Sequence, residues 1–223
     1  RSPSKRNRST PHYSPSQATR RRPTVCATST PFSTTTPVLA AQAHQDVHVG
    51  KMLLEAVQLL CTAFEEPRAR AQHRWRIGST PAERLAADLL PYAHTHRNHP
   101  CAVWVRASRG NFNATIALAQ ALAAEFRYRF DKPHASEAAL DWVVRHRAEA
   151  QVPDGPLTPY ALAMPEKHQI VDALYLVELP AHTVLDSGVA AYRAYYRNEK
   201  RGYRFTDKWV PAKWTRRQPP EWF

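Results

Sequence analysis

A single row of polar side chains runs along the otherwise apolar segment 43–64. At about 100° per residue the row keeps to one side of a helix, with the spacing 4, 3, 4, 3, 4, and consists of His44, His48, Lys51, Glu55, Gln58 and Thr62. A solvated helix face is normally wider and carries more charge. The narrow row therefore predicts a helix that is buried on most sides and lines a cleft with its polar edge.

Glu55 is the member of this row best suited to acid–base chemistry. In a partly dry cleft, beside Lys51 and His48, the pKa of its carboxyl would shift. We therefore expect a catalytic set in which Glu55 is the general acid or base, Lys51 is an amine nucleophile if it is desolvated, and His48 lies beside both. The alternative is a buried polar network with a purely structural role.

A second helix, predicted over 111–130, repeats this arrangement. Asn111, Glu125 and Arg129 lie on one line of it, and Glu125 and Arg129 are four residues apart, so they can form an ion pair. We expect these three residues and His44 to line a pocket with the first row. The alternative for Glu125 and Arg129 is a surface ion pair on a core helix.

Two groups of histidines have the composition of a metal site but not its pattern. His94, His96 and His99 lie in one loop without a nearby carboxylate, and a histidine before a proline also suits a helix start. His44 and His48 do not form the H-E-x-x-H pattern, and the positive charge of Lys51 in the same row would repel a metal ion. We predict no metal and no other cofactor.

The C-terminal segment 192–223 interleaves nine basic and nine aromatic residues. Basic side chains neutralise phosphates, and aromatic rings stack on unpaired bases. We therefore predict a nucleic-acid-binding set, with DNA favoured over RNA, that consists of Arg106, Arg193, Tyr196, Arg197, Lys200, Trp214 and Arg216. The alternative is that the aromatic residues pack the tail onto the core, and both roles can hold at once.

The positive charge is unevenly distributed along the chain. The net charge is +12, and residues 1–43 contribute seven basic residues and no acid. Segment 1–29 is also rich in Ser, Thr and Pro, so we expect it to be disordered. Its composition resembles an organellar transit peptide, which predicts a chloroplast or mitochondrion. A basic nucleic-acid-binding arm, in a nuclear or cytoplasmic protein, is the alternative.

The remaining chain, 30–223, predicts an all-α fold: a compact, multi-helix single domain with proline-rich loops. Few glycines and long alanine- and leucine-rich runs favour helices, which we expect over 38–64, 80–90, 101–108, 111–130, 136–150 and 187–205. Segment 153–166 predicts a loop with one or two helical turns, 173–185 is ambiguous between strand and loop, and 168–187 is a possible insertion. Ser79 or Thr80 with Pro81 and Glu83 marks a helix start, and Ser136 is expected to cap another.

The sequence also argues against a membrane-spanning segment and against a disulfide scaffold. No stretch approaches the roughly 18 apolar residues that a membrane span requires, so we expect no membrane contact. The three cysteines, Cys26, Cys61 and Cys101, are far apart in the sequence, which argues against a disulfide scaffold and fits a reducing compartment. We expect a monomer.

Several stretches resemble a family of largely uncharacterised small helical proteins encoded by tailed phages, some bacteria and algae. They are PVLAAQAHQDVHVGKMLLEAVQLLCTA, THRNHPCAVWVRASRGNFN, LAAEFRYRFDKPHAS, LTPYALAMPE and AAYRAYYRNEK with the closing KW, R and PEWF. The likeness extends over about residues 30–223. Two stretches depart from it: FSTTTP stands where the family is usually acidic, and KHQIVDALYLVELPAHTVLDS is longer than the usual link.

A shorter stretch, HVGKMLLE, is similar to a helix of phage-type pyrimidine-dimer DNA glycosylases. In that family a histidine and a glutamate seven residues apart act at an extruded damaged site, which implies such roles for His48 and Glu55. The run Tyr192–Tyr196 is loosely similar to the basic-aromatic tail of those enzymes. Their nucleophile is the amine of a processed N-terminus, and here a long extension lies before the helix, so Lys51 becomes the candidate.

Three functions follow as hypotheses. The first is a base-processing enzyme of the DNA glycosylase or lyase type, because such an enzyme needs a pocket with a positive rim to hold an extruded base. The second is a nucleic-acid-binding module without catalysis. The third is an enzyme that acts on free nucleotides, because the excess of positive charge outside the tail is modest.

Overall fold

The structure, a computed structural model, describes residues 37–65, 80–169 and 184–223, with the side chains of 184–187 excepted. Within these ranges the chain is mostly helical, and its only sheet there is a two-stranded hairpin, which confirms the all-α prediction. None of the helices in these ranges has the length and apolar character of a membrane span. The predicted tail 1–29, the ambiguous segment 173–185 up to residue 183, and most of the possible insertion 168–187 lie outside the described residues.

The described helices and strands follow in chain order. They are α1 Pro37–Ala43, α2 Asp46–Cys61, α3 Pro81–Ala86, α4 Pro100–Ala107, α5 Arg109–Phe130, α6 Glu137–Arg145, α7 Val184–Glu199, β1 Gly202–Phe205 and β2 Lys208–Pro211, with 3₁₀ turns at Arg147–Glu149 and Glu166–His168.

Helix α5 is the centre of the fold, and α1, α2, α4 and α6 pack around it. Its apolar residues recur every three or four positions, so one stripe of the helix is buried; Phe112, Ala119 and Leu122 are fully covered. The opposing stripe of α2 includes Leu53 and Val57, both fully buried. The two stripes form the middle of one hydrophobic core, to which Trp214 near the end of the chain also belongs.

The prediction of one helix over 38–64 is wrong, because the chain leaves the helix between α1 and α2. Gln45 is extended, with φ −67° and ψ 160°. The guanidinium of Arg129 donates to the carbonyls of Gln42 and His44, both at 2.8 Å, and so satisfies the end of α1. The backbone N–H of Gln45 donates to the Tyr196 hydroxyl at 3.0 Å. Distant residues therefore stabilise the break, and no local pattern reveals it.

The predicted starts of α3 and α5 agree closely with the structure. Thr80 and Glu83 form a complete capping box ahead of α3. Ser108 is extended and separates α4 from α5, and its hydroxyl accepts from the N–H of Asn111 at 3.1 Å. A Cβ on Gly110 would lie 2.3 Å from the backbone nitrogen of Leu157, so only glycine fits at this crossing.

The prediction that the Ser136 side chain caps α6 is wrong. Ser136 precedes the helix, but its side chain makes no capping bond. Its hydroxyl accepts instead from the Tyr92 hydroxyl at 3.1 Å. The Glu137 carboxylate caps this end by accepting from the N–H of His134 at 2.7 Å, because a carboxylate near a helix N-terminus is favourable.

Two further segments differ from their predictions. The helix expected over 187–205 ends at Glu199, and an antiparallel hairpin follows in which Arg204 faces Trp209 and Phe205 faces Lys208. A Cβ on Gly202 would lie 2.4 Å from a backbone oxygen of the partner strand, so the glycine permits the close pairing. Segment 153–166, predicted as a loop with one or two helical turns, has no helical turn before the 3₁₀ turn that begins at its last residue, Glu166. The N-terminus of α5 binds the first part of this segment through backbone and side-chain hydrogen bonds.

Candidate functional site

A group of ionisable side chains meets at the polar edge of α2, and we call it the α2 polar cluster. It comprises His48, Lys51 and Glu55 from α2, His99 from the start of α4, and Lys200 just beyond α7. Three of the five come from the predicted row. The other two are within electrostatic range of Glu55 or Lys51 in the folded chain.

Helix α4 begins at this cluster because of its His-Pro sequence. His99 is extended, and its Nδ1 accepts from the N–H of Cys101 at 3.2 Å. Pro100 follows at the first helical position, where its missing N–H costs nothing. The predicted use of His99 at a helix start is confirmed, and the cap brings its imidazole into range of the Glu55 carboxyl.

The carboxyl of Glu55 is largely buried and only partly satisfied. Its Oε1 lies 3.5 Å from Nζ of Lys51, and the two side chains are 13% and 48% exposed respectively. Its Oε2 is buried and has no hydrogen-bond partner within the described part of the chain. Burial raises the pKa of Glu55, and the Lys51 ammonium opposes this shift only in part. Glu55 therefore carries a proton at a higher pH than an ordinary glutamate.

Lys200 is a second amine within electrostatic range of Glu55, and its Nζ lies over the Tyr195 ring, 5.1 Å from the ring centre. Burial, together with the Lys51 ammonium, lowers the pKa of Lys200. Its backbone is fixed, since its carbonyl accepts from the Gln45 side-chain amide at 2.9 Å and its N–H donates to the Tyr196 carbonyl at 2.9 Å. The sequence placed Lys200 among phosphate-binding residues, and the fold brings it into range of Glu55.

His48 is joined to α7 by a short hydrogen bond. Its Nδ1 lies 2.6 Å from the Tyr196 hydroxyl, which also accepts from the N–H of Gln45. Burial and the charges of Lys200 and Lys51 lower the pKa of His48. The ring is therefore neutral at neutral pH, and its Nδ1 can accept the hydroxyl proton of Tyr196.

Arg106 lies at the other end of the α2 row. Its guanidinium donates to the Thr62 hydroxyl at 3.0 Å and to the Arg97 carbonyl at 2.8 Å. The row from His48 to Thr62 spans fifteen residues, or about 20 Å along the helix axis. Positive side chains thus flank Glu55 at both ends of this edge, as a site for a polyanion requires.

Glu125 and Arg129 form a separate, closed network. The Glu125 carboxylate accepts from Arg129 Nε at 2.7 Å and from two nitrogens of Arg217, both at 3.0 Å. Arg129 also donates to Asp46, whose carboxylate accepts from Thr215. These arginines lower the pKa of Glu125. Within the described residues, the hydrogen bonds of Glu125 and Arg129 join the two side chains to each other and to Gln42, His44, Asp46 and Arg217, and none goes to the α2 polar cluster.

His44 and Asn111 are buried within the protein as well. His44 is completely covered, its Nδ1 lies 2.7 Å from the Ala40 carbonyl, and burial lowers its pKa to about 4. The Asn111 amide donates to the Trp104 carbonyl and to Thr158, and accepts from the N–H of Thr158, all at 2.8 Å. The four predicted pocket residues therefore do not meet in one group: Glu125 and Arg129 bond to each other, while His44 and Asn111 each bond elsewhere. Asn111 joins α4, α5 and the loop that follows residue 153.

The predicted nucleic-acid-binding residues divide by exposure. The rings of Tyr196 and Trp214 are 3% and 9% exposed, so protein covers the faces that would stack on a base. Arg216 pairs with Asp131 and donates to the Tyr128 carbonyl. Arg193 lies over the Trp222 ring, 5.6 Å from its centre, while Arg197 is partly exposed on α7.

The predicted nucleic-acid-binding set leaves out the most exposed aromatic residues of segment 192–223. Phe205 and Trp209 are 68% and 60% exposed, and Tyr203 is 37% exposed; all three lie on the hairpin. The available signal was the alternation of aromatic and basic residues around Thr206–Asp207, which is typical of two strands joined by a two-residue turn. The strong helical pattern before residue 200 concealed it.

The described residues also form a cavity, and they contain no candidate metal-binding group. A cavity of about 530 Å³ runs along α5, lined by Arg109, Asn113, Ile116, Ala117, Gln120, Arg147 and Ala148, and includes none of the predicted residues. The described residues contain no group of three or more histidine, cysteine, aspartate or glutamate side chains that could hold a metal ion.

Comparison of the chain with protein-family models, with curated proteins and with solved structures finds no match.

Proposed function

We propose that this protein acts on nucleic acid as a base-processing enzyme of the glycosylase or lyase type, centred on the α2 polar cluster. One observation supports the proposal above all others: the carboxyl of Glu55 is largely buried, has one oxygen without a hydrogen-bond partner among the described residues, lies 3.5 Å from the Lys51 amine, and is within electrostatic range of the Lys200 amine. A structural carboxylate would have its oxygens satisfied, as Glu125 does.

The proposed chemistry uses a proton donor and an amine together. The nitrogen of a lysine forms a bond to C1′ of the sugar as the bond from C1′ to the base breaks, and Glu55 gives its proton to the departing base. The amine nitrogen then loses a proton and expels O4′, which takes up a proton, so that the ring opens to an imine. Because the lowered pKa of Lys200 favours its neutral form, we propose Lys200 as the attacking amine and retain Lys51 as the alternative.

Positive side chains around the cluster support a polyanionic substrate. Lys51 lies 3.5 Å from Glu55, Lys200 is within electrostatic range of it, and Arg106 lies at the far end of the same helix edge. A phosphate backbone that crosses this edge would place a sugar at the carboxyl, provided the nucleotide is extruded from its stack.

A second candidate function is a nucleic-acid-binding module without catalysis. The exposed aromatic and basic side chains of the hairpin favour it, because they need no reaction to bind unpaired bases. This function predicts salt-dependent binding and no turnover.

Borohydride trapping separates the two functions. The full chain is incubated with ultraviolet-irradiated duplex DNA and, separately, with duplex DNA that contains an abasic site, and borohydride then reduces any imine to a stable adduct. We expect an adduct with the wild type that is lost in Lys200→Ala and kept in Lys132→Ala, a matched change at an exposed lysine. Loss in Lys51→Ala alone would identify the other amine. Binding without adduct or strand cleavage would refute the enzyme and leave the module.

A further inference from the structure

The β1–β2 hairpin exposes both of its faces to solvent. Tyr203, Phe205 and Lys208 lie on one face, and Arg204 and Trp209 lie on the other, since residues that face each other across the strands share a side. All five are exposed. A ribbon that stabilised the fold would bury one face against the core, and this one buries neither.

The hairpin nevertheless has specific local contacts that define its shape. The Trp209 ring packs against Gly202, where a Cβ would lie 2.6 Å from ring atoms. Thr206 adopts φ 53° in the two-residue turn, and the N–H of Ala212 donates to the Arg201 carbonyl at 2.8 Å and closes the base of the ribbon. A two-stranded ribbon is only marginally stable on its own, so exposed aromatic rings on it indicate a binding role rather than a structural one.

The charge of the hairpin indicates what it binds. Arg201, Arg204 and Lys208 are exposed there, and Asp207 is the only acidic residue between Arg201 and Pro211. Among the described residues, no acidic side chain pairs with Arg204 or Lys208 in an ion pair. Cationic and aromatic side chains alternating on one exposed ribbon match a partner that presents phosphates and flat rings in succession, namely a nucleic acid with unpaired bases.

We propose that the hairpin stacks its aromatic side chains on unpaired bases and so holds a nucleic acid open next to the α2 polar cluster. Lys200 of that cluster is two residues before β1, so the root of the ribbon lies at the proposed site. Aromatic side chains that enter a base stack partly unstack it, and an extruded nucleotide then lies near Glu55. The inference rests on the proposed function and adds to it the element that opens the substrate.

Fluorescence anisotropy with three labelled DNAs tests this: a single strand, a perfect duplex, and the same duplex with a central abasic site. We expect Phe205→Ala and Trp209→Ala to weaken binding to the single strand and to the abasic duplex by about tenfold each, the size of one lost base stack. Binding to the perfect duplex is expected to change less than twofold. The matched control is Val103→Ala, which removes a side chain that is 51% exposed on α4.

Further variants separate stacking from loss of the fold. Trp209→Phe and Phe205→Tyr keep a ring and should retain binding, whereas Phe205→Leu keeps the bulk without the ring and should lose it. Equal losses on all three DNAs, or no loss on any, would overturn the hairpin proposal while the proposed function stands. If the wild-type chain binds none of the three DNAs, the proposed function fails as well, and a protein partner for the hairpin becomes the next candidate to test.

Discussion

The Tyr196 hydroxyl lies 2.6 Å from Nδ1 of His48 and accepts the N–H of Gln45 at 3.0 Å. One oxygen on α7 thus orients a member of the α2 polar cluster and satisfies a backbone group at the break before α2. Because Tyr196 is 3% exposed, water cannot easily replace its hydroxyl. The orientation of the His48 ring and the bonding of the Gln45 N–H therefore depend on the same side chain.

Tyr196→Phe should therefore destabilise the fold. It leaves the buried N–H of Gln45 without a hydrogen-bond acceptor, which lowers the free energy of unfolding by about 1–3 kcal/mol. Urea denaturation at pH 7.5 would measure the difference. Tyr203→Phe is the matched control, because its exposed hydroxyl should contribute less than about 0.5 kcal/mol; equal effects of the two changes would show that the contact with Gln45 is not important.

Glu55→Gln should abolish the adduct with ultraviolet-irradiated DNA, where a base must depart, yet leave the fold as stable as before or more stable. The pKa of Glu55 is raised in the folded state, so its contribution to stability is present below the ordinary glutamate pKa and is lost as pH rises through the folded value. Thermal melts at pH 4 and pH 7.5 should show a gain for the variant that grows with pH. A lower melting temperature at pH 7.5 would mean that Glu55 is a structural carboxylate.

Glu125→Gln should have the opposite effect on stability. Arg129 and Arg217 lower the pKa of Glu125, so its contribution is present above the ordinary glutamate pKa and is lost as pH falls through the folded value. At pH 7.5 the change should cost about 3 kcal/mol, because the buried Arg129 loses one of its two charged partners and keeps only Asp46. The cost should shrink below about pH 4 in urea titrations; a cost independent of pH would contradict the role of charge.

Acid should destabilise the protein through His44. Its pKa is lowered from 6.5 to about 4 by burial, so the stabilisation is complete above pH 6.5 and is lost as pH falls towards 4. The free energy of unfolding should drop by about 3 kcal/mol over this interval from His44 alone. His44→Gln should flatten that part of the curve, and His96→Asn, at an exposed histidine, should leave it unchanged.

The rate of imine formation should be bell-shaped in pH, because one group must be unprotonated and another protonated. Burial lowers the pKa of Lys200 and raises that of Glu55, which brings the two limbs of the profile closer together than for free side chains. Single-turnover trapping from pH 5 to pH 10 would measure both limbs. A profile that is the same in Glu55→Gln as in the wild type would exclude Glu55 as the proton donor.

The sequence predicts those features of the fold and the site that depend on near neighbours. The capping box of Thr80 and Glu83, the helical stripe of α5 and the pairing of Lys51 with Glu55 all arise within four residues along the chain. A periodicity of 3.6 residues and the chemistry of helix ends are sufficient to find them.

Features that depend on distant residues could not be predicted in this way. The break between α1 and α2 requires Arg129 and Tyr196. Lys200 comes within electrostatic range of Glu55 because Gln45 is hydrogen-bonded to Tyr196 and to the Lys200 carbonyl. The hairpin was within reach of a local pattern, but its short strands follow a helix whose basic and aromatic residues continue the same composition. Burial of Tyr196 and Trp214 likewise depends on packing that no count of aromatic residues reveals.

The break between α1 and α2 has a consequence for synthesis on the ribosome. Its bonds come from Arg129, Tyr196 and the Lys213 carbonyl, so the first two described helices acquire their final geometry only after residue 213 has emerged. At about 5–20 residues per second, the apolar stripe of α2 remains without its full set of partners for roughly ten seconds or more. Contacts of such long sequence separation slow folding, and the nascent chain is therefore expected to engage a chaperone during that interval.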